Sequence, residues 1–161
     1  MVQITTTNEV AKINGVKVLV YGLAGAGKTM LVATAPKPLL ISAEAGELSL
    51  KNFKIPMVKV QTMADIIEVY KWLVSSEEAS QYETICLDSL SEIGEVVLAD
   101  AKTRFKDARM AYGEMYERLE NLVRKFRDIN GKNVCMAAKC ERSRDEADGC
   151  LKNAPAMPGA K

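Results

Sequence analysis

Histidine is absent from this chain of 161 residues, and its absence removes a large class of chemistry. Without an imidazole there is no histidine general base, no histidine-ligated zinc and no Ser-His-Asp triad. Any catalysis must therefore depend on carboxylates, lysine, arginine, hydroxyl groups and a metal ion that arrives with the substrate.

The chain also lacks an excess of charge, because 22 basic and 21 acidic side chains leave a net charge of +1. Nucleic acid would therefore have to be bound by a local patch, since no global field attracts a polyanion. No run of 18 apolar residues occurs, and the N-terminus has no basic stretch followed by an apolar one. We expect a cytoplasmic protein that makes no use of a membrane.

The four cysteines show no paired spacing of the kind that binds zinc. Cys86 and Cys135 fall inside apolar runs, where cysteine behaves as a small hydrophobic residue. We expect Cys86, Cys135, Cys140 and Cys150 to be free thiols in a reducing compartment.

Short apolar runs alternate with helical patterns along most of the chain, which is long enough for one compact core. Strands are predicted over residues 16–21, 39–43, 57–60, 84–87 and 134–138, and helices over 29–34, 62–74, from near 91, and along an apolar stripe from 115 to 126. Parallel strands need crossover connections, so this alternation predicts a three-layer α/β fold. We expect a mostly parallel sheet with helices on both faces.

The alternation stops after residue 140. Charged residues, including Asp145, Glu146 and Asp148, are followed by glycine and two prolines, which predicts a mobile loop and an unanchored tail. The single domain is accordingly divided into a core over residues 1–140 and a loop with a C-terminal tail over residues 141–161.

The most specific motif is GLAGAGKT at residues 22–29, which matches the phosphate-binding pattern G-x-x-x-x-G-K-[ST] between a predicted strand and a predicted helix. Glycines allow backbone N–H groups to surround a polyphosphate, and the helix N-terminus adds a favourable dipole. Lys28 is expected to reach the β and γ phosphates, and the Thr29 hydroxyl to bind Mg²⁺. The alternative is a glycine-rich turn with a chance lysine. The residues expected to contact the nucleotide are Gly22, Ala24, Gly25, Ala26, Gly27, Lys28, Thr29 and Met30.

Two acids are candidates for roles beside this loop. Asp88 ends the apolar run 84–87, where a carboxylate lies beside the Mg²⁺ of a phosphate loop, although Asp88 and Ser89 also precede a helix and are potential caps. Glu44 ends the second strand and is a candidate to orient and deprotonate the attacking water. Glu47 competes for that role, and a solvated turn carboxylate is the third alternative.

The order of these features resembles that of a RecA-fold ATPase, and more narrowly that of the compact phage-encoded RecA-like ATPases that assist single-strand annealing and recombination. The resemblance covers most of the chain, although only the phosphate loop is specific by itself. It rests on Lys28-Thr29, Ala43-Glu44, Leu87-Asp88-Ser89, a helix opening at Tyr112-Gly113, residues 134–139, and the phrases VLVYG (18–22), KPLL (37–40) and PAMPG (155–159).

The resemblance implies ATP and Mg²⁺ as cofactors, with Lys28, Glu44 and Asp88 in the catalytic roles. It further implies single-stranded DNA as a partner, a homo-oligomer and contact with a single-strand DNA-binding protein. Relatives keep a polar γ-phosphate sensor at the strand end near residue 140. Cys140 departs from that pattern, so Lys139 is the better candidate for the contact.

Two basic segments occupy the places where RecA-like proteins contact single-stranded DNA. The first is a predicted loop over residues 101–110 with four basic side chains, and the second follows Cys140 with two: Lys102, Arg104, Lys106 and Arg109, then Arg142 and Arg144. Mobile basic groups can pair with a phosphate backbone. The alternatives are a solvated surface, since acidic residues dilute both segments, and a trans arginine finger at Arg142 or Arg144.

RecA-type cores continue with further strands, so the resemblance predicts either a minimal or a truncated fold, with an open sheet edge that invites pairing with another subunit. Two other functions use the same loop. One is a small-molecule kinase, disfavoured because no arginine-rich lid is evident, and the other is a nucleotide-binding assembly module that does not hydrolyse ATP.

Overall fold

The computed structural model describes residues 4, 6, 7, 9, 15–44, 46–144 and 149–159. Six strands of this part of the chain form one sheet, in the order β1-β5-β4-β2-β3, with β6 paired to β5. All pairs are parallel except β5 with β6, which confirms the mostly parallel sheet. The strands are β1 Lys17–Gly22, β2 Pro38–Ser42, β3 Met57–Lys59, β4 Thr84–Asp88, β5 Asn133–Arg144 and β6 Leu151–Pro155.

Three α-helices pack on one face of this sheet, because alternate residues of the buried strands point to the same side. Leu39, Ile41, Ile85 and Leu87 enter a single core with apolar side chains from all three helices. The helices are α1 Met63–Ser75, α2 Leu90–Arg104 and α3 Ala108–Arg127.

The opposite face takes the intervening strand residues. Leu40 and Cys86 pack there with Val32 and Leu50, which come from the 3₁₀ helices Thr29–Thr34 and Glu47–Leu50. A third 3₁₀ helix, Glu78–Gln81, precedes β4. The three-layer α/β class is therefore confirmed, with 3₁₀ rather than α-helices on the second face in the described residues.

A reciprocal capping box begins α1. The Thr62 hydroxyl accepts a hydrogen bond from the Asp65 N–H at 3.2 Å, and the Asp65 carboxylate accepts one from the Thr62 N–H at 2.8 Å. This reciprocal box satisfies two backbone donors that a helix N-terminus leaves unpaired.

The predicted loop over residues 101–110 is wrong. Lys102 and Arg104 lie in the last turn of α2, and Arg109 lies in the first turn of α3. Only residues 105–107, which include Lys106, connect the helices, because the Asp107 carboxylate caps α3 through the N–H groups of residues 109 and 110. The helix expected to open at Tyr112-Gly113 consequently begins at Ala108.

The predicted loop and tail after residue 140 are also wrong where the structure describes them. β5 continues to Arg144 and forms an antiparallel hairpin with β6. Beyond β6, the Pro158 carbonyl accepts a hydrogen bond from the Tyr116 hydroxyl at 3.1 Å. Asp145, Glu146 and Asp148 lie outside the described residues, and the division at residue 140 stays a prediction.

Two smaller expectations concern the membrane and the cysteines. In the described ranges, every helix is too short or too polar to cross a bilayer. All four cysteines are free thiols, with Cys86 buried and Cys150 exposed.

β1 lies at one edge of the sheet and leaves Val18, Leu19 and Tyr21 partly exposed.

Candidate functional site

The phosphate-binding loop follows the carboxyl end of β1, and its glycines are needed for its shape. Gly25 and Gly27 have φ angles of 78° and 86°, in the left-handed region that side chains with a Cβ rarely adopt. A tight turn, in which the Ala26 N–H donates to the Leu23 carbonyl at 3.2 Å, lies between β1 and Lys28. The backbone is therefore bent into an open loop, in which residues 23–27 are exposed.

Lys28 folds back over this loop. Its ammonium donates hydrogen bonds to the carbonyls of Gly22 at 2.9 Å and Leu23 at 3.0 Å. In the presence of a triphosphate, the ammonium would leave these carbonyls and contact the β and γ phosphates, whose charge is opposite to its own. The helix that follows is a 3₁₀ helix of six residues, so the dipole expected from an α-helix contributes less than the loop amides and the lysine.

Thr29, the first residue of the 3₁₀ helix after the loop, meets Asp88, the last residue of β4. The Thr29 hydroxyl donates a hydrogen bond of 2.6 Å to the Asp88 carboxylate. Asp88 is only 3% exposed, and burial raises the pKa of its carboxyl, the Thr29 hydrogen bond lowers it, and the nearby charge of Glu44 raises it again. The carboxylate is not a helix cap, because the Ser89 hydroxyl accepts the bond from the Glu92 N–H at 3.5 Å at the start of α2.

Glu44 lies just past β2, which pairs with β4 so that Ser42 is opposite Asp88. Its Oε1 accepts a hydrogen bond from the Ser89 hydroxyl at 2.8 Å and forms an ion pair with the Lys139 ammonium at 3.4 Å. Glu44 therefore reaches the same sheet edge as Asp88 and the loop.

Glu47, the competing base, is engaged elsewhere. It begins the 3₁₀ helix after the Glu44 turn and forms an ion pair with Lys59 at 3.0 Å. Its own backbone N–H, together with Lys59, lowers the pKa of its carboxyl. The Glu47 carboxylate is thus directed to Lys59 of β3, whereas the partners of Glu44 are groups of the site itself.

Lys139 lies on β5 directly opposite Gly22 of β1. Its ammonium contacts Glu92 and, at 3.4 Å, Glu44, and the hydrogen bond to Glu92 is the main reason that the pKa of Lys139 is raised. Lys139 thus lies beside the start of the loop and lines the same cavity as Thr29. A cavity of about 500 Å³ is enclosed by these groups and is lined by Leu23, Ala24, Gly25, Gly27, Lys28, Thr29, Met30, Glu44, Gly46, Ser49, Lys139 and Cys140.

Sequence reasoning missed three residues of α2 and its cap that organise the site, namely Ser89, Ser91 and Glu92. Ser89 was considered only as a cap, although it also binds Glu44. The S-x-x-E spacing of Ser89 and Glu92 is a detectable helix-start signal. It gives no indication that the carboxylate would contact Lys139, which is 47 positions away.

The six basic residues considered for DNA are outside this cavity. Arg104 forms an ion pair with Asp100 at 3.1 Å, and the Lys102 ammonium lies 5.9 Å from the centroid of the Tyr112 ring. The side chains of Lys106, Arg109, Arg142 and Arg144 are exposed. The structure thus places the first four on a helical hairpin and the last two on β5.

The donor set at this edge fits Mg²⁺ that arrives with a nucleotide. Mg²⁺ is typically held by one or two oxygen ligands of the protein together with substrate phosphates, and Thr29 and Asp88 supply such oxygens at 2.6 Å from each other. Among the described residues, no group of three or more histidine, cysteine, aspartate or glutamate side chains forms a metal site by itself. The Thr29 and Asp88 oxygens match a metal that is shared with the phosphates.

Comparison with known proteins gives one family. The sequence profile of a family described as an AAA domain matches residues 14–154. None of the curated proteins matches the chain. A solved structure of a KaiC-like protein from the hyperthermophilic archaeon Pyrococcus horikoshii OT3 is similar, with 13% identity and a TM-score of 0.44, over 91% of this chain and 82% of that one.

Proposed function

The chain belongs to the AAA domain family of P-loop ATPases, and from that premise we propose that it binds Mg²⁺-ATP in the loop at residues 22–29 and hydrolyses it. The observation that supports the proposal most strongly is the convergence of four side chains on that loop. Thr29 donates a hydrogen bond to Asp88 and Glu44 forms an ion pair with Lys139, so that side chains from four different segments meet in two pairs at the loop.

Each side chain has a role that follows from its position. Lys28 exchanges the carbonyls of Gly22 and Leu23 for the phosphate oxygens, and the loop amides bind the remaining charge. Thr29 and Asp88 would hold Mg²⁺, and the ion would neutralise phosphate charge when bound.

Glu44 is the proposed general base, because its carboxylate lies between Ser89 and Lys139 at the edge of the cavity. Ser89 orients the carboxylate, and the carboxylate accepts a proton from the attacking water. Lys139 is the proposed contact of the γ-phosphate. An ammonium held there stabilises charge that develops during transfer.

The finer proposal is that hydrolysis is coupled to single-stranded DNA in a homo-oligomer, as in the RecA-like recombination proteins of phages. Its support is the resemblance of the motif order and the exposed basic side chains of Arg142 and Arg144 on β5. Arg142 and Arg144 are also proposed as arginine fingers towards a neighbouring subunit, since both are exposed on β5. A single-strand DNA-binding protein is a further proposed partner.

A nucleotide-binding module without turnover is the second candidate, and one observation favours it. The Glu44 carboxylate is already engaged by Ser89 and Lys139, so a chain in which these contacts never release would bind ATP and leave it intact.

Phosphate release by the full chain tests the proposal. The assay compares Mg²⁺-ATP with ATP and a chelator, with and without single-stranded DNA, for the parent, Lys28→Ala and the exposed control Lys54→Ala. We expect Lys28→Ala to lower turnover by about 100-fold or more, since it removes a cation that stabilises transferred charge. The control should match the parent. Absence of phosphate release by the parent in every condition would sink the proposal and favour the binding module.

A further inference from the structure

We propose that Glu92 is a positioning residue, which holds the Lys139 ammonium at the phosphate cavity and prevents it from neutralising Glu44. The inference rests on the proposed function and adds to it a residue that no motif of the loop or the strand ends includes.

The first observation is a helix cap that is only half made. Ser89 and Glu92 have the spacing of a reciprocal capping box, and the Ser89 hydroxyl does accept a bond from the Glu92 N–H at 3.5 Å. At α1, the equivalent Asp65 carboxylate returns to the backbone of Thr62. At α2, the Glu92 carboxylate instead contacts Lys139. The Glu92 side chain therefore contacts β5, and not the backbone at the start of its own helix.

The second observation is that the backbone of Lys139 is fixed by the same turn of α2. The Lys139 N–H donates to the Ser91 hydroxyl at 2.9 Å, and that hydroxyl donates to the Ala156 carbonyl at 2.7 Å. The Ala156 N–H in turn donates to the Lys139 carbonyl at 2.8 Å. With the main chain fixed on both sides, the remaining freedom of Lys139 lies in its side chain.

The third observation is the charge count around that side chain. One ammonium is shared by two carboxylates, with Glu92 as the closer partner and Glu44 at 3.4 Å. If Glu92 is neutral, the whole attraction of Lys139 goes to Glu44, and the general base becomes a tight ion pair. With Glu92 in place, an arriving γ-phosphate has only to replace the weaker of the two contacts.

A double-mutant cycle separates this role from a structural one. Turnover and KM are measured for the parent, Glu92→Gln, Lys139→Met and the double variant. We expect Glu92→Gln to lower kcat by about 10-fold with KM within about 2-fold, as is typical for residues that orient a catalytic group. Lys139→Met should lower kcat by about 100-fold. The double variant should equal Lys139→Met alone, because Glu92 acts only through that lysine.

The matched control is Glu95→Gln, which removes the same charge one turn further along α2 from an exposed position. It should match the parent, and Glu92→Asp should recover part of the turnover. Additive effects in the cycle, or an equal loss in Glu95→Gln, would contradict the inference.

Nucleotide affinity provides a readout that does not need turnover. The ratio of the dissociation constants for ADP and for a non-hydrolysable ATP analogue should fall in both variants, by no more than about 2-fold in Glu92→Gln and by more in Lys139→Met, since Glu92 acts on the γ-phosphate only through that lysine. A parent that binds the analogue without hydrolysing ATP contradicts the proposed function, and the ratio then still tests Glu92. An unchanged ratio in Glu92→Gln, or a parent that binds no nucleotide, overturns the inference.

Discussion

The charges of two regions are held differently. One is the phosphate edge, meaning the carboxyl ends of the strands with Lys28, Glu44, Asp88 and Lys139, and the other is the pair of basic segments. At the phosphate edge every charged group has a named partner, as in the bonds from Thr29 to Asp88 and from Ser89 to Glu44. In the basic segments, Arg142 and Arg144 are exposed on β5, and Arg104 is paired with an aspartate of its own helix.

This difference predicts a difference in sensitivity to substitution. Charges that are fixed before the substrate arrives contribute strongly to a transition state, because no reorganisation is needed when the reaction occurs. Solvated charges that follow a phosphate backbone contribute small and interchangeable amounts. Single substitutions should therefore have large effects at the phosphate edge and small ones in the basic segments.

The largest expected effect is that of Glu44→Gln, compared with Glu47→Gln. Loss of the general base should lower kcat by about 100-fold or more and leave ATP binding intact. Glu47→Gln should change kcat by less than about 3-fold, because the Glu47 carboxylate is directed to Lys59 of β3 and not to the groups that line the cavity. Steady-state kinetics with Mg²⁺-ATP measures both. Equal losses in the two variants would remove the distinction between these carboxylates.

The next prediction compares two glycine-to-alanine substitutions, one of which should weaken nucleotide binding and the other raise stability. Gly25 has a φ angle of 78°, so Gly25→Ala strains the loop by about 1–2 kcal/mol and should weaken nucleotide binding by about 10-fold. Gly113 lies inside α3 with open space around its Cα, so Gly113→Ala should stabilise the chain by about 0.5–1 kcal/mol without affecting binding. Calorimetric titration and chemical denaturation measure the two. A Gly25→Ala variant with unchanged affinity would contradict the proposed role of the loop.

Asp88→Asn should raise the melting temperature of the nucleotide-free chain at neutral pH by about 2–4 °C. The pKa of the Asp88 carboxyl is raised from 3.8, chiefly by burial, so the folded chain binds this proton more tightly than the unfolded chain. The ionised carboxylate thus lowers stability at pH values above the folded pKa, and this cost disappears below the unfolded pKa. The gain should therefore shrink as the pH falls towards 3.8.

Asp100→Asn is the control of opposite sign for Asp88→Asn. The Arg118 guanidinium beside Asp100 lowers the pKa of that carboxyl, so its ionised form stabilises the fold at neutral pH. Thermal unfolding at several pH values should show a lower melting temperature for Asp100→Asn at neutral pH. A gain for Asp88→Asn that is independent of pH would show that its cause is not ionisation.

The smallest effect is expected for the arginines on β5. If Arg142 contacts a DNA backbone, Arg142→Ala should weaken binding of single strands of every sequence and reduce the salt slope by about 1. Arg104→Ala should have less effect, because that guanidinium is paired with Asp100. Fluorescence anisotropy over a range of salt concentrations measures both. Unchanged binding in Arg142→Ala would leave this arginine as a solvated or subunit-contacting residue.

Local patterns predicted the parts of the molecule that depend on neighbouring residues. The phosphate loop and the ends of β2 and β4 are each determined by a short segment of the sequence. The role of Glu92 was missed because its partner lies 47 positions away, on a strand whose distance from α2 is set by the tertiary fold. A pattern within one segment contains no information on such a contact.

The two segments that were predicted as loops failed for different reasons. Three of the residues 101–104 are alanine, lysine and arginine, which have high helix propensity. The loop was predicted from their charge, whereas their propensity favours the helix that is observed. The hairpin of β5 and β6 has little apolar alternation, and the chain after it is placed by tertiary packing. A Cβ on Gly94 would lie 2.8 Å from Pro158, so the absence of a side chain at Gly94 permits that approach.

The most direct test of the account is a crystal structure with Mg²⁺ and a non-hydrolysable ATP analogue. We predict that the metal contacts the Thr29 hydroxyl beside Asp88, that Lys28 leaves the Gly22 carbonyl for the phosphates, and that the γ-phosphate faces Glu44 and Lys139. A triphosphate bound outside the loop at residues 22–29, or a γ-phosphate that faces Glu47 in place of Glu44, would contradict it.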